Sequence, residues 1–230
     1  MPPADEPRAA DPRARAAQTK RDRTRRALLD AADATFGSRG WARTRIEDIA
    51  AAAGVSAATA YNHFPSKHSL IGHVYGPLVN PLLVQAERDV AEGRPVVAAL
   101  EDQVRALART TSRHRELTGS FWAAVQDYTI RVDGPSDPSD EIDPRLLAPV
   151  PEAIRILVDH GQRTGELRSY PPAAEISAMI VNNLLTRAMN RPNESTEVRA
   201  ELLLTVLFGA LRPEMLVNGP PDMRPFRRTS

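Results

Sequence analysis

Apolar positions along this chain recur at helical spacing almost throughout, and nowhere in the strict alternation of a half-buried strand. Within residues 21–38, Leu28, Ala32 and Phe36 are four apart with Leu29 beside them, and Gly37 and Gly40 are expected to end that helix. Ile46, Ile49, Ala50 and Ala53 form the stripe of a short second helix. Residues 66–75, 95–111, 116–131 and 151–161 repeat the pattern, so the chain reads as all-α. Two C-terminal segments, 172–190 and 196–212, are apolar nearly all round. Helices of that kind must be covered on every side, and a subunit interface covers two adjacent ones more easily than one small core does. A homodimer built on these helices is expected, with Ala178, Gly209 and Ala210 allowing close approach.

Residues 44–67 carry the most specific local grammar. Thr44 and Glu47 have capping-box spacing, which predicts a helix starting at Arg45. Gly54 supplies the left-handed residue that ends it, and Ser56 caps the next helix. Phe64 precedes Pro65, where the helical region is disfavoured, so that second helix is short. On a helical wheel Ala57, Ala60, Tyr61 and Phe64 fall on one side and pack. Ala58, Thr59, Asn62 and His63 fall on the other, small toward the N-terminus and hydrogen-bonding beyond it, which suits entry into a DNA major groove.

With A-L-L-D-A-A-D-A-T-F at 27–36, Gly40, I-A-x-x-A-G-V-S at 49–56 and T-A-Y-N-H-F-x-x-K at 59–67, the chain resembles the TetR family of bacterial transcriptional regulators over residues 25–70, about a fifth of its length. The resemblance implies a three-helix DNA-binding domain followed by a larger helical domain that senses a small molecule and dimerises. It implies base or adjacent phosphate contacts from Ala57, Ala58, Thr59 and Asn62, with Ser56 at the same helix start. Phosphate contacts are implied for Tyr61, His63 and Lys67, and for Thr44 and Arg45 from the preceding helix. Ala58 stands where a glycine is common and Ala60 where a larger aliphatic residue is common. Alanines at 57 and 58 limit readout there to thymine methyl groups, so the operator is not legible.

Charge sharpens this picture. The net charge is only +1, but residues 8–26 hold eight basic side chains against two acidic ones, and acidic groups gather at 133–143. A basic end on an otherwise balanced chain suits a polyanion held at that end. Residues 1–20, with almost no large apolar side chain, are expected as a flexible basic arm. The expected organisation is thus an arm at 1–20, a helix-turn-helix domain at 21–70, an effector-binding and dimerisation domain at 71–214, and a tail at 215–230.

Other segments carry lesser expectations. Trp41 reads as a core plug. Pro77 and Pro81 require a kink or restart in the third helix, serving as a hinge or a static bend. Residues 132–144 read as an exposed connector, without the spacing of a calcium loop. Asn182 and Asn183 are expected to satisfy each other, the backbone or a partner subunit. Phe121, Trp122, Tyr128 and Met179 are candidates to line an effector pocket.

The chain has no cysteine and five scattered histidines. No nucleotide-binding glycine pattern, nucleophile elbow or H-E-x-x-H is present, so no enzyme, cofactor or metal is implied. The longest apolar run, at 202–211, is too short to span a bilayer, and a cytoplasmic location is expected. The implied partners are a near-palindromic double-stranded operator, a second copy of the chain and a small-molecule effector. The competing reading is a helical small-molecule binder or adaptor that grips no operator.

Overall fold

The computed structural model describes residues 12–211, which among themselves form ten helices and no strand. In chain order these are α1 (Pro12–Arg43), α2 (Ile46–Ala52), α3 (Ala57–His63), α4 (Lys67–Ala91) and α5 (Val96–Arg113), then α6 (Arg115–Val132), α7 (Pro144–Leu147), α8 (Glu152–Thr164), α9 (Ala173–Asn190) and α10 (Thr196–Leu211). The tail expected at 215–230 and the first eleven residues of the expected arm lie outside the described residues.

Helix α1 differs from expectation at both ends. Residues 12–20, expected as a flexible arm, are helical. Alanine, arginine and glutamine have high helix propensity, so the segment continues the helix without an apolar face to bury. At the other end α1 runs through Gly37 and breaks at Gly40, where φ of 75° and ψ of 169° are open to glycine alone. Between these limits Leu28, Ala32 and Phe36 are fully buried.

Helix α4 is the mast of the fold. It packs against α1, α5, α6, α7 and α8, and the domain boundary expected near residue 70 falls inside it. Pro77 and Pro81 do not restart it: both lie within one continuous helix. They are four apart and exposed, so each missing N–H leaves a carbonyl on the flank that water reaches. The opposite flank needs glycine for another reason. A Cβ on Gly72 would lie 2.7 Å from Leu147 Cβ, and one on Gly76 would lie 3.0 Å from the Leu147 carbonyl oxygen. Those two glycines let α7 sit directly on α4.

The segment expected as a solvated connector is therefore tied down at its C-terminal end. Asp143, 1% exposed, caps α7 by accepting from the Arg145 N–H, and Pro144, Ala148 and Val150 enter the core. Helices α9 and α10 each bury one face, through Ile180, Leu184, Leu204 and Leu207 among others. The other face is open, with Met179 at 69%, Val206 at 64%, Val198 at 59% and Leu202 at 45% exposure. Asn182 and Asn183 stand on that open side and do not pair with each other.

Candidate DNA-binding face and effector cavity

Local chemistry shapes α2 and α3 much as the spacing requires, with one exception. Gly54 takes φ of 70° beyond α2, and the Val55 N–H donates to the Ala50 carbonyl at 2.9 Å, closing the turn. Ser56 Oγ accepts from the Thr59 N–H at 3.2 Å, the expected cap. Phe64 leaves the helical region with φ of −140°, immediately before Pro65. The exception is the capping box, which does not form. Helix α2 starts at Ile46, with Arg45 in the cap position and no side-chain cap. Thr44, 1% exposed, turns inward and donates to the Gly40 carbonyl at 2.8 Å, knitting the chain across the break in α1. The Thr44 hydroxyl is thus satisfied within the protein, whereas Arg45 is exposed.

The seven residues of α3 divide cleanly. Ala60 and Phe64 at its end are buried at 1% exposure and fix the helix to the domain. Ala58, Tyr61 and Asn62 are exposed, and Ala57, Thr59 and His63 are half-buried. Tyr61 thus stands outside the packed side on which the wheel sets it, at 44% exposure. Its hydroxyl donates to Glu47 Oε1 at 3.3 Å, because α2 runs beside that flank of α3. Partial burial and then Glu47 raise the Tyr61 phenol, keeping it a neutral donor. His63 is lowered by burial and by the nearby charges of Arg21 and Arg25, so near pH 7 it offers a neutral imidazole. The Arg25 guanidinium lies 4.4 Å from the Phe64 ring centroid, which sets the basic N-terminal half of α1 beside the end of α3.

Lys67 is directed inward. Its Nζ donates to the carbonyls of Trp41 at 3.0 Å and Thr44 at 3.1 Å, and lies 3.9 Å from the Trp41 ring centroid. Trp41 in turn stacks on Phe36, with ring centroids 5.9 Å apart, and meets His68 at 4.8 Å. Trp41 is the plug that was expected, and Lys67 holds it.

This small domain is fastened to α6. Ser120 Oγ donates to the Phe36 carbonyl at 2.8 Å. His68 Nε2 hydrogen-bonds Asp127 Oδ2 at 2.8 Å. Burial lowers the His68 imidazole despite Asp127, so the contact near pH 7 is a neutral N–H donating to a carboxylate. Neither Asp127 nor this pairing is legible in the sequence, since the partners are 59 residues apart.

The same helix walls a cavity of about 360 Å³, with Phe121, Trp122 and Val125 on one side and Val150, Val181 and Leu185 on the other. The four side chains expected to share a pocket do not converge. Phe121 and Trp122 line this cavity. Tyr128, two helical turns on from Phe121, is 6% exposed; its hydroxyl donates to Asp140 and its ring packs edge-on against His68 at 5.1 Å. Met179 lines a separate apolar hollow of about 160 Å³ between α9 and α10. The wheel gathers Tyr128 with Phe121, but Tyr128 is occupied by Asp140 and His68 and does not line the cavity. Among the described residues no cluster of histidine and carboxylate side chains fit to hold a metal ion occurs, and no helix is long and apolar enough to cross a membrane.

Comparison with known proteins agrees with this geometry. Residues 28–74 match the family of bacterial regulatory proteins described as tetR. Over 100 residues the chain is 34% identical to the HTH-type transcriptional repressor KstR2 of Rhodococcus jostii strain RHA1, covering 44% of this chain and 47% of that one. The chain thus spans about half the length of this curated relative. The repressor DhaR of Mycobacterium sp. strain GP1 is 24% identical over 193 residues, covering 82% of this chain and 92% of DhaR. Among solved structures, Thermus thermophilus FadR, a TetR-family repressor bound to lauroyl-CoA, superposes with a TM-score of 0.64 at 23% identity, covering 87% of this chain and all of that one. Residues 28–74 thus match the tetR family, and the helical fold is shared with FadR over 87% of the chain.

Proposed function

We propose that this chain, with its N-terminal match to the TetR family, is a ligand-responsive DNA-binding transcriptional regulator, acting as a homodimeric repressor that leaves its operator when a small organic molecule enters the cavity between α6, residues 145–152 and α9. The observation that carries the reading is that one helix, α6, holds the reading domain through Ser120 and Asp127 and also walls the cavity through Phe121, Trp122 and Val125. A ligand that binds better to a shifted α6 must therefore also bias the position of α3.

On DNA, α3 enters the major groove. Ala57, Ala58, Thr59 and Asn62 meet base edges or adjacent phosphates, Ser56 contributes the helix start, and Arg45, Tyr61 and His63 grip the backbone. The open face of Met179, Val198, Leu202 and Val206 packs against the same face of a second copy, so two α3 helices are presented to a near-palindromic site. Residues 21–70 form the reading unit and residues 71–214 the sensing and dimerising unit.

Selecting fragments of the source genome on the purified chain, followed by gel-shift titration, tests this. Enrichment of a pseudo-palindromic sequence, released by some small organic molecule, is expected. A chain that enriches no sequence would be an adaptor or plain ligand binder instead.

A further inference from the structure

The effector cavity has an unusual charge inventory. Two charged side chains line it, Arg145 and Glu152, and both are already committed. Arg145 Nε lies 3.0 Å from each oxygen of Asp143, Nη2 lies 2.8 Å from Oδ2, and Nη1 donates to the Gly134 carbonyl at 3.1 Å. Nε and Nη2 of that guanidinium are held by a carboxylate that is 1% exposed, which cancels its charge, and Nη1 is held by a backbone carbonyl. Glu152 accepts from Nε and Nη2 of Arg155, at 2.7 and 2.6 Å. Both charges are thus paired, and no uncompensated charge among the described residues lines the cavity. The hydroxyl of Ser136 and the amide of Asn182 border the cavity and make no side-chain hydrogen bond to the described residues. The rest of the lining is aliphatic, aromatic or proline.

We infer that the effector is an uncharged molecule with an apolar, ring-sized body and a hydroxyl or carbonyl group that pairs with Asn182 or Ser136. This rests on reading the cavity as the effector site. The physical reason is desolvation. A carboxylate or ammonium brought against this lining loses water and finds no free counter-charge, which costs more than its apolar body gains. A neutral hydroxyl loses less and recovers a hydrogen bond from an amide that makes none to the described residues of its own chain. Asp143 is thereby a specificity residue that acts through Arg145, by cancelling the cation that lines the cavity among the described residues.

The test is calorimetric titration of the whole chain, without DNA, with matched pairs: 2-naphthalenemethanol against 2-naphthoate, and 1-adamantanemethanol against 1-adamantanecarboxylate. The alcohols are expected to bind at least about tenfold more tightly than their carboxylates, a difference of about 1.4 kcal/mol, and Val125→Phe, which fills the cavity, to abolish binding. In Asp143→Asn, which frees the Arg145 charge, the carboxylates are expected to gain at least about tenfold over the unaltered chain. Carboxylates that bind the unaltered chain as well as the alcohols do, or no binding by either class, overturn the inference. If Asp143→Asn does not fold, the comparison on the unaltered chain still decides. Because DNA is absent, failure here is separate from failure of operator selection, which would remove the regulator reading and leave the cavity's preference measurable.

Discussion

The Lys67 ammonium sits 3.9 Å above the Trp41 ring while donating to the carbonyl of that same tryptophan at 3.0 Å. One side chain thus satisfies a carbonyl at the frayed end of α1, reaches the Thr44 carbonyl next to it, and closes the ring face against solvent. Burial lowers Lys67, with Asp127 opposing it, yet the group stays a cation near pH 7. Lys67→Ala is accordingly expected to cost about 1.5–3 kcal/mol of stability, the range for hydrogen bonds involving a charged group. Thermal unfolding followed by circular dichroism checks this. An unchanged midpoint would return Lys67 to the role of a plain phosphate contact.

Tyr61 offers the contrasting case. It is 44% exposed, and among the described residues its hydroxyl meets only Glu47, so Tyr61→Phe is expected to leave the unfolding midpoint within about a degree or two, as surface changes do. Operator affinity is expected to fall several-fold, since a donor to phosphate is lost. Filter binding of the variant at two salt concentrations is the measurement; equal affinity would take Tyr61 out of the interface.

The open face of α9 and α10 predicts a separation of folding from assembly. Leu202→Glu and Val206→Asp alter side chains that are 45% and 64% exposed in the single subunit. Each subunit is expected to keep its helical content while the dimer dissociates, read as a halving of mass by light scattering. A dimer that survives both changes places its interface elsewhere.

Acid should weaken the junction between α4 and α6. His68 titrates below its ordinary value because burial outweighs the help of Asp127, and Arg131 and Lys67 lower it further. His73 is lowered by burial and by Arg25, and His63 shares the direction. A histidine whose folded value lies below the unfolded value of about 6.5 is protonated first in the unfolded chain. Its contribution to stability is therefore complete above about pH 6.5 and is lost as pH falls through the lowered value. Urea midpoints at stepped pH are expected to drop below pH 6.5, and less so in His68→Gln, which keeps an N–H donor for Asp127 but cannot titrate.

The sequence by itself determined the parts that are local. Residues near one another in the chain dictate a helix's period, a glycine forced to positive φ at Gly54, the Ser56 cap and the stop at Phe64 before Pro65, so α2 and α3 were legible to within a residue. The open apolar flank of α9 and α10 was legible for the same reason, as periodicity that leaves no polar face.

Only the tertiary structure decided which neighbour each side chain meets. Thr44 had capping spacing, but the break at Gly40 brought α1 carbonyls within its reach, and a buried hydroxyl bonds what surrounds it. Tyr128 had the wheel position of a pocket residue and was claimed by Asp140, twelve residues away across a turn. Pro77 and Pro81 pointed to a kink or restart, yet α4 runs on through both, and the packing of five other helices against it outweighs two missing hydrogen bonds on a wet flank. Partners such as His68 with Asp127 and Phe36 with Ser120, 59 and 84 residues apart, meet only once α6 docks. Contacts of that range leave no period in the chain, because they depend on where whole helices come to rest.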